Sequence, residues 1–275
     1  MNKKQPKNAT KKVGTIHVIV LAAGYATRLY PLTLEKPKPL LHVAGRPILE
    51  HILDKLSPID RIERIHFVTN DKFSSHFKDW YSRYNNRHKF DFNFLNDGSV
   101  DETDKLGAIG DLHFALEQGG IDKDVLVVAG DNIFSEQLHD FDRFCREVNA
   151  PVIGIYDIGS LDAIKKFSAI SADGQGKITF FEEKPQKPKS TLMGIALYYY
   201  PKSVLPLIRQ YLAEGNSPDQ PGRLVQWLYP RVPFYTWQVP GLWFDIGSKE
   251  TLEEANRIFS VSAKLLPKRS KTKVK

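Results

Sequence analysis

The sequence predicts an α/β protein built on a mostly parallel central sheet with helices on both faces. Two observations carry this. Short, apolar, β-rich runs alternate with stretches of helical periodicity through the first part of the chain, which is the pattern of repeated β–α units. No linker rich in Gly, Ser or Pro and no internal period interrupts the chain, so it reads as one unit with no appended solenoid.

The elements follow in order. "IHVIVLA" suits a buried strand, and "PILEHILDKL" places apolar residues at helical spacing behind Pro47, a good first-turn residue. "IERIHFVTN" reads as a strand, "FSSHFKDWYSRY" as a helix and "FDFNFLN" as a strand. "LGAIGDLHFALEQGG" is a helix closed by glycines, "DVLVVAGD" a strand, "LHDFDRFCREV" a helix and "PVIGIYDI" a strand. The pattern then changes. "FSAISADGQGKITFFEEKP" reads as two strands around a turn at 173–176, and "LMGIALYYYP" as another, its tyrosines packed against the sheet. Helices over 201–214 and 222–229 precede the strand "VPFYTWQV", and "LWFDIGSKETLEEANRIFSVSAKLL" runs from a short strand into a helix. The expected division is a nucleotide-binding half over about 13–150 and a smaller β-rich half over 151–263, wrapped on the same sheet.

Composition narrows the function. At 275 residues and 41% hydrophobic, the chain can bury a substantial core. It has no run of eighteen apolar residues, so no membrane span is expected, and the basic N-terminus lacks the apolar region of a secretory signal. A single cysteine, Cys145, makes no intrachain disulfide, which fits a cytoplasmic location. Net charge is +7, yet eleven positive charges lie in residues 1–12 and 264–275, leaving a body near −4. The basicity thus belongs to two tails expected to be disordered, and at most they touch nucleic acid nonspecifically.

The chemistry concentrates in "LAAGYATRLYPLTLEKPKPLL", residues 21–41. Ligands of open α/β sheets bind beyond the carboxyl ends of the strands, where this loop lies. Gly24 lets backbone approach a ligand, and Ala22, Ala23 and Ala26 keep side chains out of the way. Exposed N–H groups, the Arg28 fork and the Lys38 point charge suit phosphate, while Pro31, Pro37 and Pro39 restrict the path. Neither G-x-G-x-x-G nor the ATPase phosphate loop is present. From the residues alone, a phosphate-binding loop and an ordinary basic surface loop both stand.

The longer stretch "LAAGYATRLYPLTLEKPKPLLHVAGRPILEHIL" resembles the signature of the sugar-phosphate nucleotidyltransferases, the nucleotide-sugar pyrophosphorylases. Further motifs follow in the family's order over residues 13–262: "LGAIGDL", "VAGDNIF", "FEEKPQKPKS" and "LWFDIGSKETLEEANRI". The resemblance implies a Rossmann-like nucleotidyltransferase fold. It also implies that Leu21, Ala22, Ala23, Gly24, Thr27, Arg28, Lys38, Gly107 and Asp131 contact the nucleotide. Asn132, Glu183, Lys184 and Gly194 would meet the sugar phosphate, and Asp131 and Asp245 would bind Mg²⁺, a hard cation suited to carboxylates. Without the resemblance, Asp131 and Asp245 read rather as helix caps and Glu183–Lys184 as a solvated pair. Asn96 offers a donor and an acceptor to a pyrimidine edge, though "NDGS" is also an ordinary turn.

The implied reaction is attack by a sugar 1-phosphate oxygen on the α-phosphorus of an NTP, releasing pyrophosphate. Catalysis would be positioning and charge stabilisation by Arg28, Lys38 and Lys184. Glucose 1-phosphate with dTTP or UTP is the expected pair. Mannose 1-phosphate with GTP, a CTP-dependent transfer to phosphocholine or inositol phosphate, and a non-catalytic module of the same fold are the alternatives. No C-terminal β-helix is expected, and the family's habits make a homo-oligomer an expected assembly. Two departures fall near the sugar: Ala196 stands where the family often has glycine, and Phe167-Ser168 stands for its Tyr-Gly or Phe-Gly pair.

Overall fold

The computed structural model describes residues 14–84 and 89–265. The expected tail over 1–12 lies outside the described residues, as does the one over 264–275 apart from Lys264 and Leu265, which belong to the last helix.

Strand β1 (Ile16–Leu21) leads into the long loop, which carries single 3-10 turns at Thr27–Leu29 and Lys38–Leu40. The short pair β2 (His42–Val43) and β3 (Arg46–Pro47) follows, then α1 (Ile48–Leu56), with Pro47 one position ahead of the helix as its cap residue. Next come β4 (Ile62–Thr69), α2 (Ser74–Tyr84), β5 (Asp91–Asn96), α3 (Ala108–Gln118) and β6 (Asp124–Ala129). A three-residue strand β7 (Asn132–Phe134) precedes α4 (His139–Val148), β8 (Val152–Asp157) and the single-turn α5 (Leu161–Ile164). The later part holds β9 (Ser168–Ala172), β10 (Ile178–Glu183), β11 (Leu192–Tyr200), α6 (Leu205–Ala213) and α7 (Pro221–Leu228). It ends with β12 (Tyr235–Gln238), β13 (Trp243–Asp245) and α8 (Lys249–Leu265).

Seven strands form the central sheet in the order β12-β8-β11-β6-β1-β4-β5. Strands β4, β1 and β6 pair in parallel, and β11 runs antiparallel to both its neighbours, β6 and β8. Side chains of β1 alternate between two cores. Val18 and Val20 join Leu49 and Ile52 of α1 and Phe77 of α2 on one face, whereas Ile19 joins Leu112 of α3 and Val225 of α7 on the other. A strand buried on both sides has no polar alternation to show, which is why β1 reads as a continuous apolar run. Tyr198, Tyr199 and Tyr200 are all buried. Among the described residues, no helix is long and apolar enough to cross a membrane.

Three features went unpredicted: the β2–β3 pair, α5 and β7. Each spans two to four residues, too few for a period to register. The β9–β10 hairpin, with its turn held by Asp173 accepting from the N–H groups of Gln175 and Lys177, forms its own two-stranded sheet rather than joining the main one.

Registry fixes where the site lies. Leu21 at the end of β1 is level with Val68 of β4 and Ala129 of β6, so three loops leave the sheet at one edge. The Gly130 N–H donates to the Leu21 carbonyl at 2.8 Å. A Cβ at Gly130 would stand 2.9 Å from Pro39 Cγ and 3.1 Å from the Leu21 oxygen. Glycine is therefore what lets the end of the long loop close onto the residue before Asp131. Gly130→Ala is expected to destabilise the protein by about 1–3 kcal/mol through overpacking, read as a lower urea midpoint. An unchanged midpoint would mean that Pro39 yields freely.

Candidate active site

The long loop is held from both ends. The Ala22 N–H donates to the Val68 carbonyl at 2.9 Å, the Asn70 amide to the Ala23 carbonyl at 2.7 Å, and the Thr33 hydroxyl to the Ala26 carbonyl at 2.8 Å. Ala26 takes a left-handed conformation and starts the turn that presents Thr27 and Arg28. The result is one wall of a cavity of about 320 Å³. Leu21, Ala22, Ala23, Gly24, Thr27, Arg28, Lys38, Gly107 and Asp131 all line it, so nine residues expected at a nucleotide do converge. Asn96 does not. Its amide donates to Asp71 at 2.7 Å and its oxygen accepts from Gly98 N–H, which is the turn geometry.

Gly107 lines the cavity and also meets a distant segment of chain. It has φ +79°, and a Cβ there would lie 2.8 Å from the backbone of Pro218 and Asp219. The Pro218 carbonyl accepts from the Ile109 N–H at 2.7 Å, capping α3. The segment between α6 and α7 thus packs onto this helix start, and Asp219 and Pro221 join the cavity wall with Glu102 and Lys105. Sequence reasoning gave Asp219 and Pro221 no role. Nothing local marks a loop that folds back from a hundred residues away.

A second cavity, of about 220 Å³, adjoins the first and shares Ala129, Asp131 and Ala196 with it. Asn132, Glu183, Gly194 and Asp245 line it, over a floor that includes Phe181, Met193 and Tyr198. Glu183 is seated against the first turn of α7, where a Cβ on Gly222 would overlap its carboxylate. Burial pushes the Glu183 carboxyl above its usual range, against the pull of Lys184 and Arg223. Lys184 itself is exposed, with φ +50°, and is absent from the lining; Lys166 lines the cavity instead. Ser168, in the second departure noted above, turns its hydroxyl to accept from the Gly194 N–H at 3.0 Å.

Where the cavities meet, β7 and β13 pair antiparallel with Asn132 opposite Asp245, and the Ile246 N–H donates to the Asp131 carbonyl at 3.1 Å. This brings two distant carboxyls together. Asp245 is pushed up to about 6 by burial and by the Asp131 charge beside it. Asp131 is held below its usual range: burial opposes ionisation, but the Lys38 ammonium at 2.5 Å and the Asn132 amide at 2.8 Å outweigh it. Asn132 in turn accepts from Trp243 Nε1 at 2.8 Å. A Cβ at Gly247 would stand 3.6 Å from Arg28 Nη2 and 3.7 Å from Asp245 Oδ2, so the guanidinium flanks the same corner.

The donor set fits a hard divalent cation. Two adjacent carboxylates that repel one another supply oxygen ligands, and such an ion takes its remaining ligands from water and phosphate. No group of three or more His, Cys, Asp or Glu side chains that could hold a metal ion is found among the described residues.

The profile of the family described as "Nucleotidyl transferase" matches residues 17–260. The chain is 27% identical over 245 residues to the bifunctional protein GlmU of Methanocaldococcus jannaschii, covering 87% of this chain and 53% of that protein. It is 32% identical over 239 residues to a Sulfolobus acidocaldarius protein that carries a provisional mannose-1-phosphate guanyltransferase name, covering 84% of this chain and 60% of that one. The chain thus spans little more than half the length of these curated relatives. A solved structure of a provisionally named glucose-1-phosphate thymidylyltransferase from Bacillus anthracis superimposes with a TM-score of 0.76. It covers 90% of this chain and 96% of that one at 24% identity, a likeness of fold.

One further residue of the first cavity had no expected role. Asp111, in the first turn of α3, is buried beside Asp97 and is pushed up to about 8 by burial and by that neighbour's charge. Asp111 Oδ1 and Asp97 Oδ2 have no hydrogen-bond partner among the described residues, a need that a proton shared between the two carboxyls would meet. Folding therefore retains a proton that the unfolded chain releases near pH 4. The stability this confers is full at low pH and is lost as pH rises through about 8. Asp111→Asn is expected to leave stability unchanged near pH 4 and to raise it by several kcal/mol at pH 8, read by urea denaturation. A gain independent of pH would contradict the shared proton.

Proposed function

The chain belongs to the nucleotidyl transferase family, and on that premise we propose that it transfers a nucleotidyl group from an NTP to a sugar 1-phosphate, giving an NDP-sugar and pyrophosphate. The observation that carries this reading is the meeting of two unlike cavities at Asp131. One is walled by a glycine- and alanine-rich loop with Arg28 and Lys38. The other is smaller and combines an apolar floor with Glu183, Asn132 and Ser168, groups suited to hydroxyls.

The reaction brings a sugar phosphate dianion against a polyanionic triphosphate. Two unit charges 4 Å apart repel by about 4 kcal/mol at an effective dielectric near 20, so cations at the junction dominate catalysis. The nucleophile is a phosphate oxygen already ionised, and no general base is required. Lys38, tethered to Asp131, holds the nucleotide phosphates, while Arg28 stabilises the charge that develops on the departing pyrophosphate. Lys166 in the cavity and Lys184 beyond the end of β10 supply positive charge to the sugar phosphate. Asp131 and Asp245 would hold Mg²⁺, which supplies charge neutralisation between the two phosphates when bound. Residues 13–150 serve as the nucleotide half and 151–263 as the sugar half, although Ala196, Asp219 and Pro221 lend walls to the nucleotide cavity.

Glucose 1-phosphate with dTTP or UTP is the first pair to assay. Mannose 1-phosphate with GTP stands beside it because of the Sulfolobus relative's name. Pyrophosphate release is expected from at least one pair in a panel of NTPs and sugar 1-phosphates with Mg²⁺; a blank across the panel would favour a non-catalytic module. With the active pair, Arg28→Ala should lower kcat by roughly a hundredfold or more. A near-normal rate would remove Arg28 from the mechanism.

A further inference from the structure

Lys36 lies on the same loop as Arg28 and Lys38, but it faces neither cavity described above. It lines a separate cavity of about 400 Å³, bounded by the loop, β2 and the end of α2. His42 and Arg83 line it too, with Glu50, Trp80 and Tyr84. The three basic side chains come from three different elements and converge on one space.

None of the three has a carboxylate within ion-pair distance among the described residues. Arg83 uses its Nε on the Asp79 carbonyl at 3.1 Å, a bond within its own helix. The single acid in the lining is already engaged. Glu50 is buried, accepts from Trp80 Nε1 at 3.2 Å and from Arg46 Nε at 3.4 Å, and so has its charge offset from outside the cavity. The remaining cations act on each other. Burial and Arg83 together hold Lys36 below its ordinary range, and burial and Lys36 do the same to His42 against the opposing pull of Glu50. Elsewhere on this surface most lysines and arginines near a carboxylate pair with it, as Arg64 does with Asp91 and Lys123 with Glu63. Three cations gathered around an open volume with one carboxylate, itself engaged by Arg46 and Trp80, are stabilised by an anion.

We propose that Lys36, His42 and Arg83 form a second oxyanion site, for a phosphate group free or carried on a small molecule, separate from the nucleotide cavity. Lysine supplies a point charge, arginine a planar fork, and both match tetrahedral phosphate oxygens. The site has a consequence for the first cavity. Pro37 alone separates Lys36 from Lys38, and Lys38 bonds Asp131. An anion that ties Lys36 to Arg83 therefore restrains the loop whose other lysine holds the nucleotide phosphates, so the two sites are linked.

The probe is inorganic phosphate, titrated into the intact protein at constant ionic strength, with binding read by calorimetry and by the NMR signals of the His42 imidazole. Wild type is expected to bind phosphate in the millimolar range with His42 shifted. Arg83→Ala and Lys36→Ala should each weaken that binding about tenfold, the loss of one charge-assisted hydrogen bond. Arg28→Ala, which alters the nucleotide cavity, should leave it intact. Because Arg83 is exposed at the end of a helix, its variant keeps the fold, and circular dichroism checks this. Absence of binding to wild type, equal affinity in the Arg83 and Lys36 variants, or loss only in Arg28→Ala would each overturn the proposal. A phosphorylated sugar and free phosphate that compete for the His42 shift would share the site; competition that spares His42 would place the sugar elsewhere and overturn the carried-phosphate form.

Discussion

Asp131 and Asp245 stand side by side because two three-residue strands, β7 and β13, pair across more than a hundred residues of chain. Bringing two carboxyls into a buried corner is unfavourable, and the effect registers on Asp245, whose ionisation is deferred to about pH 6. The Lys38 ammonium at 2.5 Å and the nearby Arg28 guanidinium offset the cost without removing it. The corner is consequently poised for positive charge from outside and for phosphate oxygens at once. Most of the site's architecture can be read as support for that arrangement.

The support is steric as much as electrostatic. Gly130 lets Pro39 close over the strand end, and Pro39 directly follows the lysine that meets Asp131. Asn132 spaces the two acids, donating to Asp131 and accepting from Trp243 on the opposite strand. Around the second cavity, Gly222 clears room for Glu183, and Gly194 for Ile153 and Ser168. Substitution at any of these would move a charge relative to its neighbours rather than merely loosen a core, and catalysis by positioned charge is sensitive to such shifts.

Much of the fold was legible in the sequence because its main strands and helices are long enough to show a period, and because β1 is buried on both faces. The wall of the larger cavity was legible for a related reason: Leu21 to Gly24, Thr27, Arg28 and Lys38 are neighbours in sequence as well as in space. What escaped reading depends on long-range placement. Strand β7 is three residues long, and its pairing with β13 cannot be seen from either segment alone. Asn96 carries the right donor and acceptor but spends them on Asp71 and Gly98. Lys184 sits in a recognisable motif yet is exposed, whereas Lys166, in no motif, lines the cavity. Gly107 is glycine because the 218–219 backbone presses on it, a neighbour that no local pattern reveals.

The account turns on the carboxyl pair acting as one cation site. Titration of the protein with Mn²⁺, followed by electron paramagnetic resonance, measures that directly. The account predicts one bound ion in wild type and affinity at least tenfold weaker in both Asp131→Asn and Asp245→Asn, each still folded, since each removes one of the two protein ligands. Unchanged Mn²⁺ affinity in Asp245→Asn would contradict it, leaving the paired carboxyls without the role on which the site is built.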